Sequence, residues 1–246
     1  MNGFSLLDYD AIIFDLDSTL TDTNAYPIRA SEWLLAQCVP NPTDLLNHYI
    51  MELVRNYRAE LKQIVRGAHY KSPFDVVKDA TRTTAEALEL PISEDLLERG
   101  TQYFKQLHLE MSDLMPGAEQ LLSSLKANGT RMAVVTNSFE GHVDIILEDL
   151  GVARYIDVTV DGSDVEAYKP MKQPFEYSLE KLDASPKESL MIGDEFYSDI
   201  VGASSVGLRT VWVNWRERNL GELMAKYEGV APDVVVDSLE ELVNFL

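Results

Sequence analysis

At 246 residues the chain is long enough for one large domain or for a domain with a substantial insertion, and a hydrophobic content of 46% is ample for a packed core. Its 41 acidic residues against 21 basic ones leave a formal net charge of −20, which argues against a basic phosphate-gripping surface and so against a nucleic-acid polymer as partner. The single cysteine, Cys38, excludes an intrachain disulfide and fits a reducing compartment.

In chain order, "YDAIIF" (residues 9–14) is the first β-rich run, and it ends in Asp15 and Asp17. Helices are expected over Pro27–Gln37 and from Pro42 through Val65, the latter with Asn41 as N-cap, Pro42 in the first turn and Gly67 past its end. "SPFDVVKDATRTTAEAL" opens another helix on Ser72, Pro73 and Asp75, and a fourth covers Glu94–Leu109. No strand pattern interrupts these helices between about Asn24 and Ser112. Cys38 lies among Trp33, Leu34, Leu35 and Val39 and reads as a small core residue.

From there strands and helices alternate. Strands are expected at Arg131–Thr136, Ile156–Val160, Ser189–Gly193, Arg209–Val213 and Asp233–Val236. Helices are expected at Glu119–Ala127, His142–Leu150, Pro174–Leu182 and Asp199–Ser205. Nearly continuous apolar runs such as "MAVVT" suit strands covered on both faces. The fold class is therefore α/β, a doubly wound, mostly parallel sheet, with a helical bundle inserted after its first strand. The expected domains are 1–22 with 113–246, a Rossmann-like core, and 23–112, the helical insertion. Trp212 and Trp215 are expected to pack the sheet edge.

In open α/β sheets, ligands collect at the carboxyl ends of the strands. Those ends carry Asp15 and Asp17, then Thr136 and Asn137, and then Asp194 with Asp199 beyond it, while "YKP" supplies Lys169 downstream of the Ile156–Val160 strand. Two carboxylates one residue apart raise each other's proton affinity unless a cation or proton intervenes. Clustered carboxylates suit a hard divalent ion, and Mg²⁺ is held by one or two carboxylates together with substrate phosphate oxygens. A lysine and a threonine hydroxyl can then grip a phosphoryl group. His48, His69, His108 and His142 show no metal-ligand spacing, and there is neither a Gly-rich phosphate loop with Gly-Lys-Ser/Thr nor a nucleophile-elbow serine.

These motifs, in this order, resemble the haloacid dehalogenase (HAD) superfamily, whose first motif D-x-D-x-T is matched by Asp15, Asp17 and Thr19. The likeness spans residues 9–22 and about 113–214, and the position of the helical insertion resembles the family's helical cap class. It implies that Asp15 is the nucleophile and Asp17 the acid and base. Asp15, the Asp17 carbonyl and Asp194 would hold Mg²⁺. Thr136 and Asn137 would bind phosphoryl oxygens, Lys169 would offset the charge on Asp15, and Asp199 would anchor Lys169 or a metal-bound water; Thr19 would support the loop.

The implied activity is a phosphatase acting on a small phosphorylated metabolite through an aspartyl-phosphate. The family's dehalogenases lack an acid at the position of Asp17. A phosphomutase sharing the motifs, or an inactive binding module, are the alternatives. In cap-bearing relatives the cap contacts the leaving group, and "RGAHYKSPF" places Arg66, His69 and Lys71 together for that task. The chain lacks a basic leader followed by an apolar stretch, and no apolar run reaches the ~18 residues of a membrane span. A cytoplasmic monomer or homodimer without membrane attachment is expected.

Overall fold

The computed structural model describes residues 4–246; residues 1–3, the start of the expected core, lie outside the described residues. β1 (Ala11–Phe14) is buried at every position, as its unbroken apolar sequence requires. A tight loop follows and leads into the two-residue strand β2 (Thr21–Asp22). Four helices come next: α1 (Ala25–Ala36), α2 (Pro42–Val65), α3 (Pro73–Ala87) and α4 (Glu94–Glu110). Ser72 and Ser93 cap α3 and α4 by accepting from the backbone N–H groups of Asp75 and Leu96. Asn41 stands at the N-cap of α2 but makes no side-chain cap hydrogen bond, so there Pro42 opens the helix without the expected cap.

β3 (Asp113–Leu114) pairs antiparallel with β2, Thr21 opposite Leu114, a contact too short to leave a periodic signal in the sequence. The alternation then runs α5 (Ala118–Ala127), β4 (Arg131–Val135), α6 (His142–Asp149), β5 (Val158–Val160), α7 (Gly162–Val165), α8 (Lys172–Leu182) and β6 (Ser189–Gly193). A π-type turn over Phe196–Val201 precedes α9 (Gly202–Ser205), so the helix expected from Asp199 begins as a widened turn with Asp199 inside it. β7 (Arg209–Val213), α10 (Leu220–Lys226), β8 (Val234–Val236) and α11 (Leu239–Leu242) complete the chain.

Among the described residues one sheet has six strands in the order β5-β4-β1-β6-β7-β8, every pair parallel. The fold class read from the alternation is the one observed. β1 sits inside the sheet, with Ile12 opposite Met132 on one side and Leu190 on the other. Strand order reverses direction about β1, which puts a crevice at the carboxyl ends of β1 and its neighbours. On one face Phe175, Leu179 and Leu182 of α8 pack against Ile13, Val135, Val160 and Met191.

The chain divides into two compact units: residues up to Asp22 together with Asp113–Leu246, and Thr23–Ser112. The second is all helical, with Tyr49, Ile64, Val76, Ala80 and Leu97 in its interior. Cys38 is half-buried instead of lying in the core, its thiol directed at the Leu34 and Leu35 carbonyls at the end of α1. Trp212 is fully buried on β7, an interior strand, which corrects the expectation of an edge position. No helix among the described residues is long and apolar enough to cross a membrane.

Candidate active site at the carboxyl end of the sheet

The parallel ladder delivers the acids. The backbone N–H of Asp15 donates to the Ile192 carbonyl at 2.9 Å, so β1 continues its pairing with β6 up to the residue whose side chain leaves the sheet. The loop beyond is closed by the Ser18 N–H on the Thr21 carbonyl at 2.7 Å and by Leu20 and Thr21 N–H groups on the Leu16 carbonyl. Ser18 adopts φ 65°, and its carbonyl accepts from Trp215 Nε1 at 3.0 Å. The turn is thus tied to the loop after β7.

Lys169 is the centre of the charge arrangement. Its side chain is 2% exposed, and its Nζ donates to Asp15 Oδ1 at 2.6 Å and to Asp199 Oδ1 at 2.7 Å. A buried ammonium survives only with such partners, and two carboxylates hold its pKa above the ordinary lysine value despite burial. Asp15 is pushed up to about 7, chiefly by burial; Lys169 opposes the rise, and Asp199 and Asp17 add to it. Burial likewise raises Asp199, again against Lys169.

The remaining oxygens are also engaged. Thr19 Oγ1 donates to Asp15 Oδ2 at 3.0 Å and faces Asp194 Oδ1 at 3.4 Å, so the hydroxyl joins the carboxylates of two strand ends. Asp199 Oδ2 accepts from the Glu195 N–H at 2.9 Å. The Asp194 carbonyl accepts from Trp212 Nε1 at 2.9 Å, and its Oδ2 forms an ion pair with Arg216. Thr136 Oγ1 donates to Asp17 Oδ2 at 3.4 Å and accepts from the Ser138 N–H at 3.1 Å. Asn137 bonds the backbone of Lys169 at both ends: Nδ2 to the Lys169 carbonyl at 3.0 Å, and Oδ1 from its N–H at 2.8 Å.

One carboxylate oxygen each from Asp15, Asp194 and Asp199 lies within 4.8 Å of the others, all three residues buried. An all-oxygen donor set of this charge fits a hard divalent cation. The pairing of Asp194 with a guanidinium supports the same fit, because a positive group already stands at that carboxylate. Asp199 spends one oxygen on Lys169 and the other on the Glu195 backbone N–H, which fixes the orientation of its carboxylate.

The residues expected to read the leaving group lie in the helical unit. Arg66 and His69 are exposed. Lys71 is paired with Glu60 at 2.8 Å and Asp79 at 2.9 Å, which ties the loop after α2 to α2 and α3. Arg216 and Arg218 belong to none of the motifs singled out from the sequence. The signal was present: "NWRERN" puts two arginines directly after a strand whose carboxyl end faces the same crevice, in a chain of net charge −20.

A family model for haloacid dehalogenase-like hydrolases matches residues 9–207. Among curated proteins, pyrophosphatase PpaX from Bacillus mycoides is 29% identical over 237 residues, 96% of each chain. Pyrimidine 5'-nucleotidase YjjG from Escherichia coli is 36% identical over 139 residues, 56% of this chain and 58% of that one. Among solved structures, one described as the HAD-hydrolase YfnB from Bacillus subtilis, bound to magnesium, superimposes with a TM-score of 0.79 at 25% identity, over 97% of this chain and 98% of the other. A dehalogenase with an intermediate complex gives 0.76 at 19% identity over 97% of each chain, a likeness of fold alone. The residues that carry the geometry, from Asp15 to Asp199, fall inside the matched span, and the chain belongs to the haloacid dehalogenase-like hydrolases.

Proposed function

We propose that this hydrolase is a Mg²⁺-dependent phosphatase that cleaves a small phosphorylated metabolite through an aspartyl-phosphate on Asp15. The observation that carries the reading is the Lys169 ammonium, bound at once to Asp15 Oδ1 and Asp199 Oδ1. A carboxylate beside a fixed cation is suited to attack an anionic phosphoryl group, because phosphoryl transfer demands positioning and charge neutralisation above all. The pyrophosphatase and nucleotidase relatives support a phosphorylated substrate, either a monoester or an anhydride.

In this mechanism a carboxylate oxygen of Asp15 forms a bond to phosphorus as the bond to the leaving oxygen breaks. Asp17, half-buried and reached by the Thr136 hydroxyl, gives its proton to that oxygen. The same carboxylate then takes a proton from the water that attacks phosphorus, which releases phosphate and restores Asp15. Lys169 stays charged throughout and offsets Asp15. Asn137 acts through the Lys169 backbone, a role that fits its two hydrogen bonds better than direct phosphoryl contact. Asp15, Asp194 and the Asp17 carbonyl would hold Mg²⁺, which would supply Lewis-acid stabilisation of phosphoryl charge. Arg66 and His69 remain the proposed readers of the leaving group, with the helical unit as a cap.

A panel of nucleoside monophosphates, sugar phosphates, phosphoglycolate and pyrophosphate, assayed for phosphate release with Mg²⁺ and with excess chelator, tests the reading. Metal-dependent release from at least one class is expected. No release from any of them, together with halide release from a 2-haloacid, would overturn it in favour of the dehalogenase branch.

A further inference from the structure

Asp15, Asp199 and Asp194 each have a cation beside them, but the two cations differ in one respect. Lys169, which serves Asp15 and Asp199, has a side chain only 2% exposed. Arg216, which serves Asp194, is 33% exposed while Asp194 itself is 4% exposed. An ionised carboxylate at that depth is costly unless paired, and Arg216 is the cation paired with Asp194. Of the two cations, only Arg216 has a route to water.

Arg216 sits on a loop that other side chains hold. Its guanidinium lies 4.0 Å from the centre of the Trp215 ring, which is itself hydrogen-bonded to the Ser18 carbonyl at 3.0 Å. Asn214 clamps the loop by donating to the Arg218 carbonyl at 3.0 Å and accepting from its N–H at 2.9 Å. Arg218 holds Glu195, next to Asp194, at 2.9 Å. The loop is thus anchored at three points that do not involve the Arg216 side chain.

We propose that Arg216 is the resident counter-ion of Asp194, displaced from that carboxylate when the divalent cation binds. The inference rests on the metal site of the proposed function. Guanidinium and metal compete for the Asp194 carboxylate, so Arg216 lowers the affinity for metal and keeps the metal-free crevice folded. Exchange swaps one positive group for another and leaves no buried carboxylate bare. Lifting the guanidinium from the indole also makes Trp215 a reporter of the exchange.

The test uses the full chain freed of metal and titrated with Mg²⁺ by calorimetry and tryptophan fluorescence, in wild type, Arg216→Gln, Trp215→Phe and Asp194→Asn. Arg216→Gln should bind Mg²⁺ about tenfold more tightly, a usual size for coupling between two ligands of one group. It should melt below wild type without metal and level with it at saturation. The Mg²⁺-induced fluorescence change of the wild type should vanish in Arg216→Gln and Trp215→Phe. Wild-type or weaker Mg²⁺ affinity in Arg216→Gln would overturn the proposal. Should that variant not fold, Arg216→Lys, which cannot reproduce the planar stacked fork, should still gain affinity, and unchanged affinity there would be equally fatal. If neither wild type nor Arg216→Gln binds Mg²⁺, the metal reading falls and the exchange with it. Normal Mg²⁺ binding and exchange with no phosphate released from any substrate would sink the phosphatase reading and leave the exchange standing.

Discussion

Asn137 holds Lys169 by the backbone: its amide donates to the Lys169 carbonyl at 3.0 Å and accepts from the Lys169 N–H at 2.8 Å. Two strand ends, β4 and the segment after β5, are thereby locked in register, and the ammonium of Lys169 is placed to 2.6 Å from Asp15 Oδ1. Asn137→Asp keeps the shape but removes the donor and brings a negative charge to a carbonyl. We expect kcat to fall by about 100-fold, the penalty for misplacing a catalytic group by about 1 Å, with KM changed far less. A KM effect alone would mean that Asn137 contacts substrate instead of positioning Lys169.

Gly193 ends β6 immediately before Asp194, and a β-carbon there would run into the Asp199 carboxylate. Gly193→Ala should therefore displace Asp199 and, through it, Lys169. Activity should drop at least tenfold while Mg²⁺ affinity at Asp194 changes little. Unaltered turnover, with a crystal structure showing Asp199 shifted, would show that the carboxylate moves aside at no cost to the chemistry.

Asp15 and Asp17 should fail in different ways. Asp15→Asn removes the nucleophile and should give no product from any phosphate ester. Asp17→Asn keeps the nucleophile but loses the proton donor, so an alkoxide leaves poorly while p-nitrophenolate leaves readily. With p-nitrophenyl phosphate this variant should release about one p-nitrophenolate per site and stall as the aspartyl-phosphate, the burst expected of an accumulating covalent intermediate. Rapid-mix absorbance and intact mass report both. A linear time course with no adduct would remove Asp17 as the base of the second step.

Asp15 carries the pH dependence. Burial raises its pKa in the folded, metal-free protein to about 7, above the ordinary carboxylate value of about 3.9 expected once unfolded. The folded state thus holds the extra proton between those values. The stability associated with Asp15 is fully present below about pH 4 and is lost as pH rises through about 7. Denaturant unfolding of metal-free wild type and Asp15→Asn should show the wild type losing stability relative to the variant over that window. Added Mg²⁺ should offset the loss at the high-pH end. A difference that does not vary with pH would mean that Asp15 stays ionised beside Lys169.

Local pattern was enough for the strands and helices that bury a whole face. The unbroken "AIIF" and "RTVWV", and the stripe of Tyr49, Leu53 and Ile64 on α2, specify their elements because a parallel strand or amphipathic helix repeats one environment over many residues. The positions of Asp15, Thr136 and Asp194 were legible for a related reason: a polar residue closing an apolar run has to leave the sheet at its carboxyl end. The β2–β3 pair, the widened turn around Asp199 and the interior position of Trp212 were not legible, since each depends on a neighbour far along the chain. The resemblance already pointed to Lys169 beside Asp15 and Asp199, but tertiary structure alone decided the other partners: Asn137 on a backbone 32 residues away and Arg216 at Asp194. Side-chain pairing between strand ends follows from strand order and register, and no local period encodes the cation that meets a given carboxylate.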